Sequence, residues 1–418
     1  MEREKKAIIA GANLNNDKDF ASLMQELFSL AEACDIEVVG EVTQKLNKVN
    51  SSHYLGSGKI KEVCELVDEK NADVVIFDDE LSPSQIRNLE KSLNCGIIDR
   101  TSLILDIFAK RARTREAQLQ VEIAKLQYML PRLIGFGESM DRQGGGSSLK
   151  NRGSGETKLE LDRRKIENRI SGLNRELEVL VSQRQNQRKK RKRRDIPVIA
   201  LVGYTNAGKS TVMNAMMDLF NPSDDKQVFE KDMLFATLQT SVRRIDLPDN
   251  KSFLLTDTVG FISKLPHYLI KAFRSTLEEV SEADMLIHVV DYSNANYEKQ
   301  MYVTIDTLRE LGVEDIPVIY CYNKIDLVEG KIPESKENYV YISAKKKLGM
   351  DKLVGAIRRK IFESYICCKF LIPYDRGNIV AYFNDNAGIK STSYENNGIL
   401  LSVECKKSDY EKYKNYLI

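Results

Sequence analysis

Val198-Ile199-Ala200-Leu201-Val202-Gly203-Tyr204-Thr205-Asn206-Ala207-Gly208-Lys209-Ser210 is the stretch on which the reading of this chain turns. The first five residues are an uninterrupted apolar run, the pattern of a strand buried on both faces of a parallel sheet. The next eight read G-x-x-x-x-G-K-S, and Thr211 to Leu219 continues as a helix. Strand, glycine-bearing loop and helix in that order form the setting a phosphate-binding loop requires. Glycines let backbone amides turn inward around phosphate oxygens, and the helix N-terminus adds partial positive charge. Gly203, Tyr204, Thr205, Asn206, Ala207, Gly208, Lys209, Ser210 and Thr211 are therefore expected to hold a nucleoside triphosphate. Lys209 would reach the β- and γ-phosphates, and the Ser210 hydroxyl would ligate Mg²⁺.

The base is chosen downstream. A β-rich run, Ile316 to Tyr322, ends in Asn323-Lys324-Ile325-Asp326. A carboxylate there accepts two hydrogen bonds from guanine, through N1–H and the 2-amino group. Adenine offers no such pair of donors, and a site built on polar pairing rejects the analogue that lacks it. The Lys324 stem can cover the base face with its charged head in water. Tyr339-Val340-Tyr341-Ile342 leads to Ser343-Ala344-Lys345, placed to back the base from the far side.

Between these lie two further motifs. Asp257-Thr258-Val259-Gly260 follows another apolar run; Asp257 would hold Mg²⁺ through water, and the Gly260 amide would meet the γ-phosphate. Phe235-Ala236-Thr237 supplies a hydroxyl for the segment that closes on Mg²⁺ and γ-phosphate, so Phe235 and Thr237 join the expected GTP site. Lys209, Thr237 and Gly260 are the residues expected to promote hydrolysis. Phe261 follows Gly260, where Ras-like proteins carry a water-orienting Gln. Phe cannot orient water by hydrogen bonding, so intrinsic hydrolysis is expected to be slow. Asn206 has two readings of equal weight, a K⁺ ligand or a residue suited to the turn.

With 418 residues the chain has room for two or three domains, and its 42% apolar content supports real cores. No stretch approaches the roughly 20 apolar residues of a membrane span, and no apolar signal-peptide region follows the charged N-terminus. Seven scattered cysteines without a C-x-x-C pair suit reduced, buried thiols in a cytoplasm. The net charge of +2 hides an asymmetry: Asp106 to Arg194 holds 23 Lys/Arg against 11 Asp/Glu, an excess of +12, which leaves −10 elsewhere. Arg188 to Arg194 is basic at every position. A helix carrying that excess reads as an electrostatic footprint for RNA, the bland alternative being a solvated linker.

Four parts are expected: an N-terminal α/β domain (1–105), a basic helical hairpin with a glycine-rich tip (106–194), a phosphate-loop GTPase domain on a mostly parallel sheet (195–365) and a small C-terminal α+β domain (366–418). In the first part, strands are expected at Ala7–Gly11, Val38–Val42, Val74–Phe77 and Ile97–Asp99. Helices are expected at Asp19–Ala33, Lys59–Asn71 and Gln85–Leu93. Gly56-Ser57-Gly58-Lys59 precedes a helix but is no full phosphate loop, and a plain turn or an RNA-phosphate contact suits it better. In the second part, Leu119, Ile123, Leu126 and Leu130 are spaced 4, 3, 4, and Leu159, Ile166, Ile170, Leu173, Leu177 and Leu180 are spaced 7, 4, 3, 4, 3. Those are coiled-coil seams, so two helices should pack on each other. The tip between them has too few apolar residues to bury itself. Arg142, Gln143, Lys150 and Arg152 at the tip, with Arg188, Lys189, Arg191 and Arg193 at the base, are the expected RNA contacts. In the tail, alternating apolar residues (Ile379, Ala381, Phe383; Ile399, Leu401, Val403) point to strands before a Tyr-rich helix.

Asp99-Arg100-Thr101-Ser102-Leu103-Ile104-Leu105-Asp106-Ile107-Phe108-Ala109 resembles the HflX family of ribosome-associated GTPases. So do Arg111-Ala112-Arg113-Thr114, Leu130-Pro131-Arg132-Leu133, Arg142-Gln143-Gly144-Gly145-Gly146 and Gly155-Glu156-Thr157. Phe235-Ala236-Thr237-Leu238, Asp257 to Phe261 and Phe273-Arg274-Ser275-Thr276-Leu277-Glu278-Glu279 are similar too. The resemblance spans about residues 5 to 365. It implies a monomer that binds GTP and GDP and engages the 50S subunit and its rRNA. It further implies splitting of stalled 70S ribosomes, GTP gating binding and release, with the hairpin tip reaching toward the peptidyl-transferase region. Some members also bind ATP through the N-terminal domain. The chain departs from the family at the tip (about two residues longer, Ser154 for Pro, Lys158 for Gln) and at Gln239-Thr240, where Asp-Pro is usual. Two alternatives stand beside this reading: an ATP-driven RNA- or ribosome-remodelling enzyme, and a GTP-gated binding module for a non-ribosomal partner.

Overall fold

The computed structural model describes residues 5–143, 152–192, 196–221, 241–266, 268–269 and 280–418, with side chains omitted at 134–143, 152–159 and 184–192. These residues form two compact units. One holds the N-terminal sheet, the hairpin and the segment from Val259; the other holds the remaining strands and helices.

The first unit opens with β1 (Lys5–Leu14), α1 (Phe20–Ala33), β2 (Ile36–Leu46), α2 (Ser57–Lys70), β3 (Val74–Phe77), α3 (Pro83–Leu93) and β4 (Gly96–Asp99). The strands pair in parallel in the order β2-β1-β3-β4. Parallel strands covered on both faces need apolar residues at every position, and Ala7 to Ala12 is a continuous buried run. Local signals set the helix ends. Ser82 and Gln85 form a reciprocal capping box with Pro83 just inside α3, and Asn71 and Asn94 close α2 and α3 in the left-handed conformation.

α4 (Arg100–Arg111) leads to the long helices α5 (Arg115–Gln143) and α6 (Arg152–Lys192). Leu119, Ile123 and Leu173 are buried together, with Leu126, Ile170, Leu177 and Leu180 packed around them. This is the seam expected from the leucine spacing; Leu130 and Ile166 are half-buried, and the Leu159 side chain lies outside the described set. Arg115–Glu176 and Arg169–Glu122, each 2.7 Å apart, tie α5 to α6. Asp99 anchors the root of the hairpin. Buried at the end of β4, it caps α4 through the Ser102 N–H, accepts the Tyr128 hydroxyl at 2.7 Å and pairs with Arg132 at 3.1 Å.

The second unit is built on a six-stranded sheet ordered β10-β9-β8-β5-β7-β6. Its strands are β5 (Val198–Val202), β6 (Ser241–Asp246), β7 (Ser252–Asp257), β8 (Met285–Asp291), β9 (Val318–Asn323) and β10 (Tyr339–Tyr341), and only β6 runs antiparallel. The helices are α7 (Lys209–Phe220), α8 (Tyr297–Glu310) and α9 (Met350–Ile361). β5 lies between β7 and β8, strands whose connections leave in opposite directions. Open α/β sheets bind ligands at the C-terminal strand ends at such a point.

The C-terminal part is an antiparallel sheet, β11 (Tyr365–Ile372), β13 (Gly398–Lys406) and β12 (Gly388–Glu395) in that order. α10 (Gly377–Asn386) and the short α11 (Lys407–Lys412) complete it. Here one expectation is corrected. Ile379, Ala381 and Phe383 lie on α10, not on a strand: Ile379 and Phe383 are buried one helical turn apart, and Ala381 is exposed. Ile399, Leu401 and Val403 do lie on a strand, β13. Of the closing tyrosines, Tyr410 lies in the six-residue α11, Tyr413 directly after it, and Tyr416 ends a 3₁₀ turn at Lys414–Tyr416. Nor are all thiols buried. Cys368 and Cys367 point to opposite faces of β11, as strand alternation requires, and Cys367 is exposed.

Candidate functional site

The loop from Gly203 to Gly208 rises from the C-terminal end of β5, and Lys209 begins α7. Two glycines answer to packing as well as to ligand access. A Cβ on Gly203 would meet the Val289 carbonyl oxygen at 2.2 Å. One on Gly208, whose φ is +92°, would meet Asn323 Nδ2 at 2.3 Å. Asn206 is exposed with φ +58°, a left-handed conformation that Asn tolerates, so the turn itself accounts for this residue type. Tyr204, Thr205 and Ala207 are buried, and Thr211 is half-buried in the first turn of α7.

Lys209 is buried with its ammonium donating to the Gly203 and Tyr204 carbonyls at 3.0 and 2.8 Å. Desolvation pushes its pKa down to about 8, against the opposing pull of Asp257. The Ser210 hydroxyl, one residue on, donates to Asp257 Oδ2 at 2.7 Å. Asp257 closes β7 and is fully buried. Thr258, to which the motif reading gave no task, donates from its hydroxyl to the Leu201 carbonyl at 2.6 Å and ties β7 to β5. His288 stands opposite Val202 in the sheet. Burial first, then the nearby Lys209 charge, pushes its pKa down to about 4, so the imidazole is neutral at physiological pH.

At the other end of the site, Asn323 bridges two loops. Its Nδ2 donates to the Ala207 carbonyl, and its Oδ1 accepts from the Ala344 N–H, both at 3.0 Å. Thus Asn323 holds the phosphate loop against the loop after β10. Lys324 takes φ +64° and pairs with Asp291 at 2.8 Å, which fixes the direction of its stem. Asp326 lies in a 3₁₀ turn, Ile325–Leu327, directly after β9. The Ser343 hydroxyl hydrogen-bonds its carboxylate and holds its pKa below the usual carboxylate range. Ser343 and Ala344 are buried, and Lys345 is exposed.

Thus Lys209, Ser210 and Asp257 converge at one end, while Asn323, Lys324, Asp326, Ser343 and Ala344 converge at the other. Gly260 is buried but belongs to the first unit, as does Phe261, which is 3% exposed. Phe235, Thr237, Lys150 and Arg193 lie outside the described residues. Arg142, Gln143, Arg152, Arg188, Lys189 and Arg191 lie on α5 and α6, their side chains undescribed. Sequence reasoning missed Thr258, Asp291 and the bridging role of Asn323. Asp291 had a local signal, a polar residue ending an apolar strand; the others depend on partners far away in sequence.

The chain matches family models for a GTP-binding GTPase N-terminal region over residues 21–109 and a GTP-binding GTPase middle region over 111–191. Residues 198–324 match a model described as 50S ribosome-binding GTPase. It is 44% identical to the GTPase HflX of Caldanaerobacter subterraneus subsp. tengcongensis, over 100% of this chain and 95% of that protein. This chain belongs to the HflX family of GTPases. The HflX of Escherichia coli K12 is 38% identical over 98% of this chain and 95% of its own length. A GTP-binding protein from Sulfolobus solfataricus, solved with GDP, aligns over 86% of this chain and 99% of its own at 25% identity and a TM-score of 0.45. Among the described residues, no helix is long and apolar enough to cross a membrane.

Proposed function

We propose that this chain is a Mg²⁺-dependent, cytoplasmic, monomeric GTPase that binds the 50S subunit and splits stalled 70S ribosomes, GTP gating binding and release. The observation that carries the nucleotide part is the convergence of Lys209, Ser210 and Asp257 at the end of β5, with Asp326 and Ser343 beside it. In this reading the backbone of Gly203 to Thr211 cradles the phosphates, Lys209 neutralises them, and Asp326 pairs with guanine between Lys324 and Ala344-Lys345. Ser210 and Asp257 offer a hydroxyl and a carboxylate oxygen 2.7 Å apart, hard oxygen donors of the kind Mg²⁺ takes; Ser210 and Thr237 would ligate the ion directly and Asp257 would hold it through water. The bound ion neutralises charge on the β- and γ-phosphates. Gly260 donates its amide to the γ-phosphate. Because Phe261 is buried and apolar, water must be oriented by backbone, by an ion such as K⁺ near Asn206, or by the ribosome. The ribosomal part is supported by the match to the 50S ribosome-binding family model and by the excess of positive charge between Asp106 and Arg194.

The test is GTP turnover with and without purified 50S subunits, in K⁺ and in Na⁺. Stimulation by 50S is expected, and a K⁺ preference would give Asn206 its cation; no response to 50S in either salt removes the ribosome from this reading. Density-gradient analysis of 70S particles incubated with the protein and a GTP analogue then checks splitting.

A pH effect follows from Lys209. Its pKa of about 8 in the free protein must rise when phosphates arrive beside it. Binding therefore takes up a proton above pH 8. Affinity is full below that value and falls as pH climbs through it, by up to about tenfold per unit. GDP titrations at pH 7 and pH 9 should differ by about tenfold. Equal affinities would mean that Lys209 does not meet the phosphates.

A further inference from the structure

Lys264 is four residues beyond Gly260, and its backbone φ of +57° is one that a lysine rarely adopts. Its side chain explains the exception. Nζ lies 2.5 Å from Asp78 Oδ2 and 2.7 Å from Asp79 Oδ1. Asp78 directly follows β3 and is fully buried. The preceding residue is fastened as well. The Ser263 carbonyl accepts from Arg100 Nε at 3.3 Å and Nη2 at 3.1 Å. Arg100, 1% exposed at the start of α4, pairs in turn with Asp78 at 2.7 Å and with Glu26. Asp79 is itself held by the buried Tyr54 hydroxyl. The C-terminal edge of the N-terminal sheet is thus a carboxylate cradle, and the chain just past Gly260 is pinned in it by one cation from each side.

We propose that Lys264 is a positioning residue for γ-phosphate recognition: anchored on Asp78 and Asp79, it keeps the Gly260 amide ordered before GTP arrives. This rests on the nucleotide site proposed above, in which Gly260 meets the γ-phosphate. A loop that must be ordered by its ligand subtracts the ordering cost from affinity, and a loop already fixed does not. GDP has no γ-phosphate and makes no demand on Gly260. The latch therefore has a signature that general damage lacks: it acts on GTP and spares GDP.

The experiment compares GDP with a non-hydrolysable GTP analogue on the full chain, without ribosomes. Lys264→Met keeps the backbone and removes the charge; Lys264→Gly relaxes the left-handed backbone, so at least one of the two should fold normally. Both should bind the analogue about tenfold more weakly and GDP within about twofold of the parent, and Lys264→Arg should restore the analogue. Three results would overturn the proposal: no change for either nucleotide, an equal loss for both, or tighter analogue binding, which would make the latch a restraint. The underlying site has its own check. If Lys209→Ala leaves GDP affinity intact, the nucleotide site is wrong; if only the Lys264 variants fail, the latch alone is wrong.

Discussion

Lys209→Ala is expected to weaken both GDP and GTP binding by about a thousandfold, while the chain still folds. Removing one member of a buried, charge-assisted pair costs about 3–5 kcal/mol, because the other charge stays desolvated without a partner. In the nucleotide-bound protein that stranded charge would be phosphate. The free protein already carries the strain on the cationic side: burial drags the Lys209 pKa to about 8, and among the described residues its ammonium donates to two neutral carbonyls, Gly203 and Tyr204. Alanine relieves that desolvation but leaves the two carbonyls short of a donor, a cost of about 1–3 kcal/mol each at most. The effect on Tm should therefore be modest and the effect on binding large. Equilibrium titration with GDP, with circular dichroism as the check on folding, separates the two. Affinity within about tenfold of the parent would sink the assignment of Lys209 to the phosphates.

What could be read in advance follows the range of the interaction. The phosphate loop was legible because its requirements are local: an apolar strand, glycines where side chains would strike Val289 or Asn323, a helix behind. The hairpin seam was legible from leucine spacing, since a heptad repeats on one chain the contact it makes with another. β3 occupies the four residues that the apolar run marked, Val74 to Phe77. Ile379-Ala381-Phe383 failed for a physical reason: over five residues, apolar positions two apart fit a strand, and the outer pair, four apart, fit a helix equally well. Only packing decided, through the stacking of Phe383 on Phe370. Least legible were the ties between distant residues. Asn323 spans from Ala207 to Ala344, Thr258 reaches back to Leu201, and Arg100 grips Ser263 across 163 positions. Residue type gives no hint of such partners. The motif reading gave Asn323 a nucleotide contact, but it could not show that both ends of the amide also tie the phosphate loop to the loop after β10.

Asp326→Asn is expected to exchange the preferred base without disturbing the phosphates. The carboxylate presents acceptors only, which suits the N1–H and 2-amino donors of guanine. Asparagine keeps one acceptor and adds a donor. Against guanine, that new amino group faces the 2-amino group, and two buried donors meet. Against xanthine, whose C2 carries a carbonyl oxygen, the amino group finds an acceptor, and the Asn oxygen still takes N1–H. Discrimination at sites where one analogue leaves a buried polar group unpaired reaches about 10⁴–10⁵. The Asp326 carboxylate already has a cationic neighbour, the exposed Lys346 3.8 Å away, so a loss of about 10²–10³ for GTP is the fitting expectation. The fold should survive, because Asn is nearly isosteric and its oxygen can still accept the Ser343 hydroxyl that now serves the carboxylate. Competition of GTP and xanthosine triphosphate for the parent and for the variant decides the matter. Preference should invert in the variant, with the xanthine nucleotide bound about as tightly as the parent binds GTP. If GTP stays the better ligand, the carboxylate does not read the base. If both nucleotides are lost together, Asp326 supports the loop and the specificity must come from elsewhere.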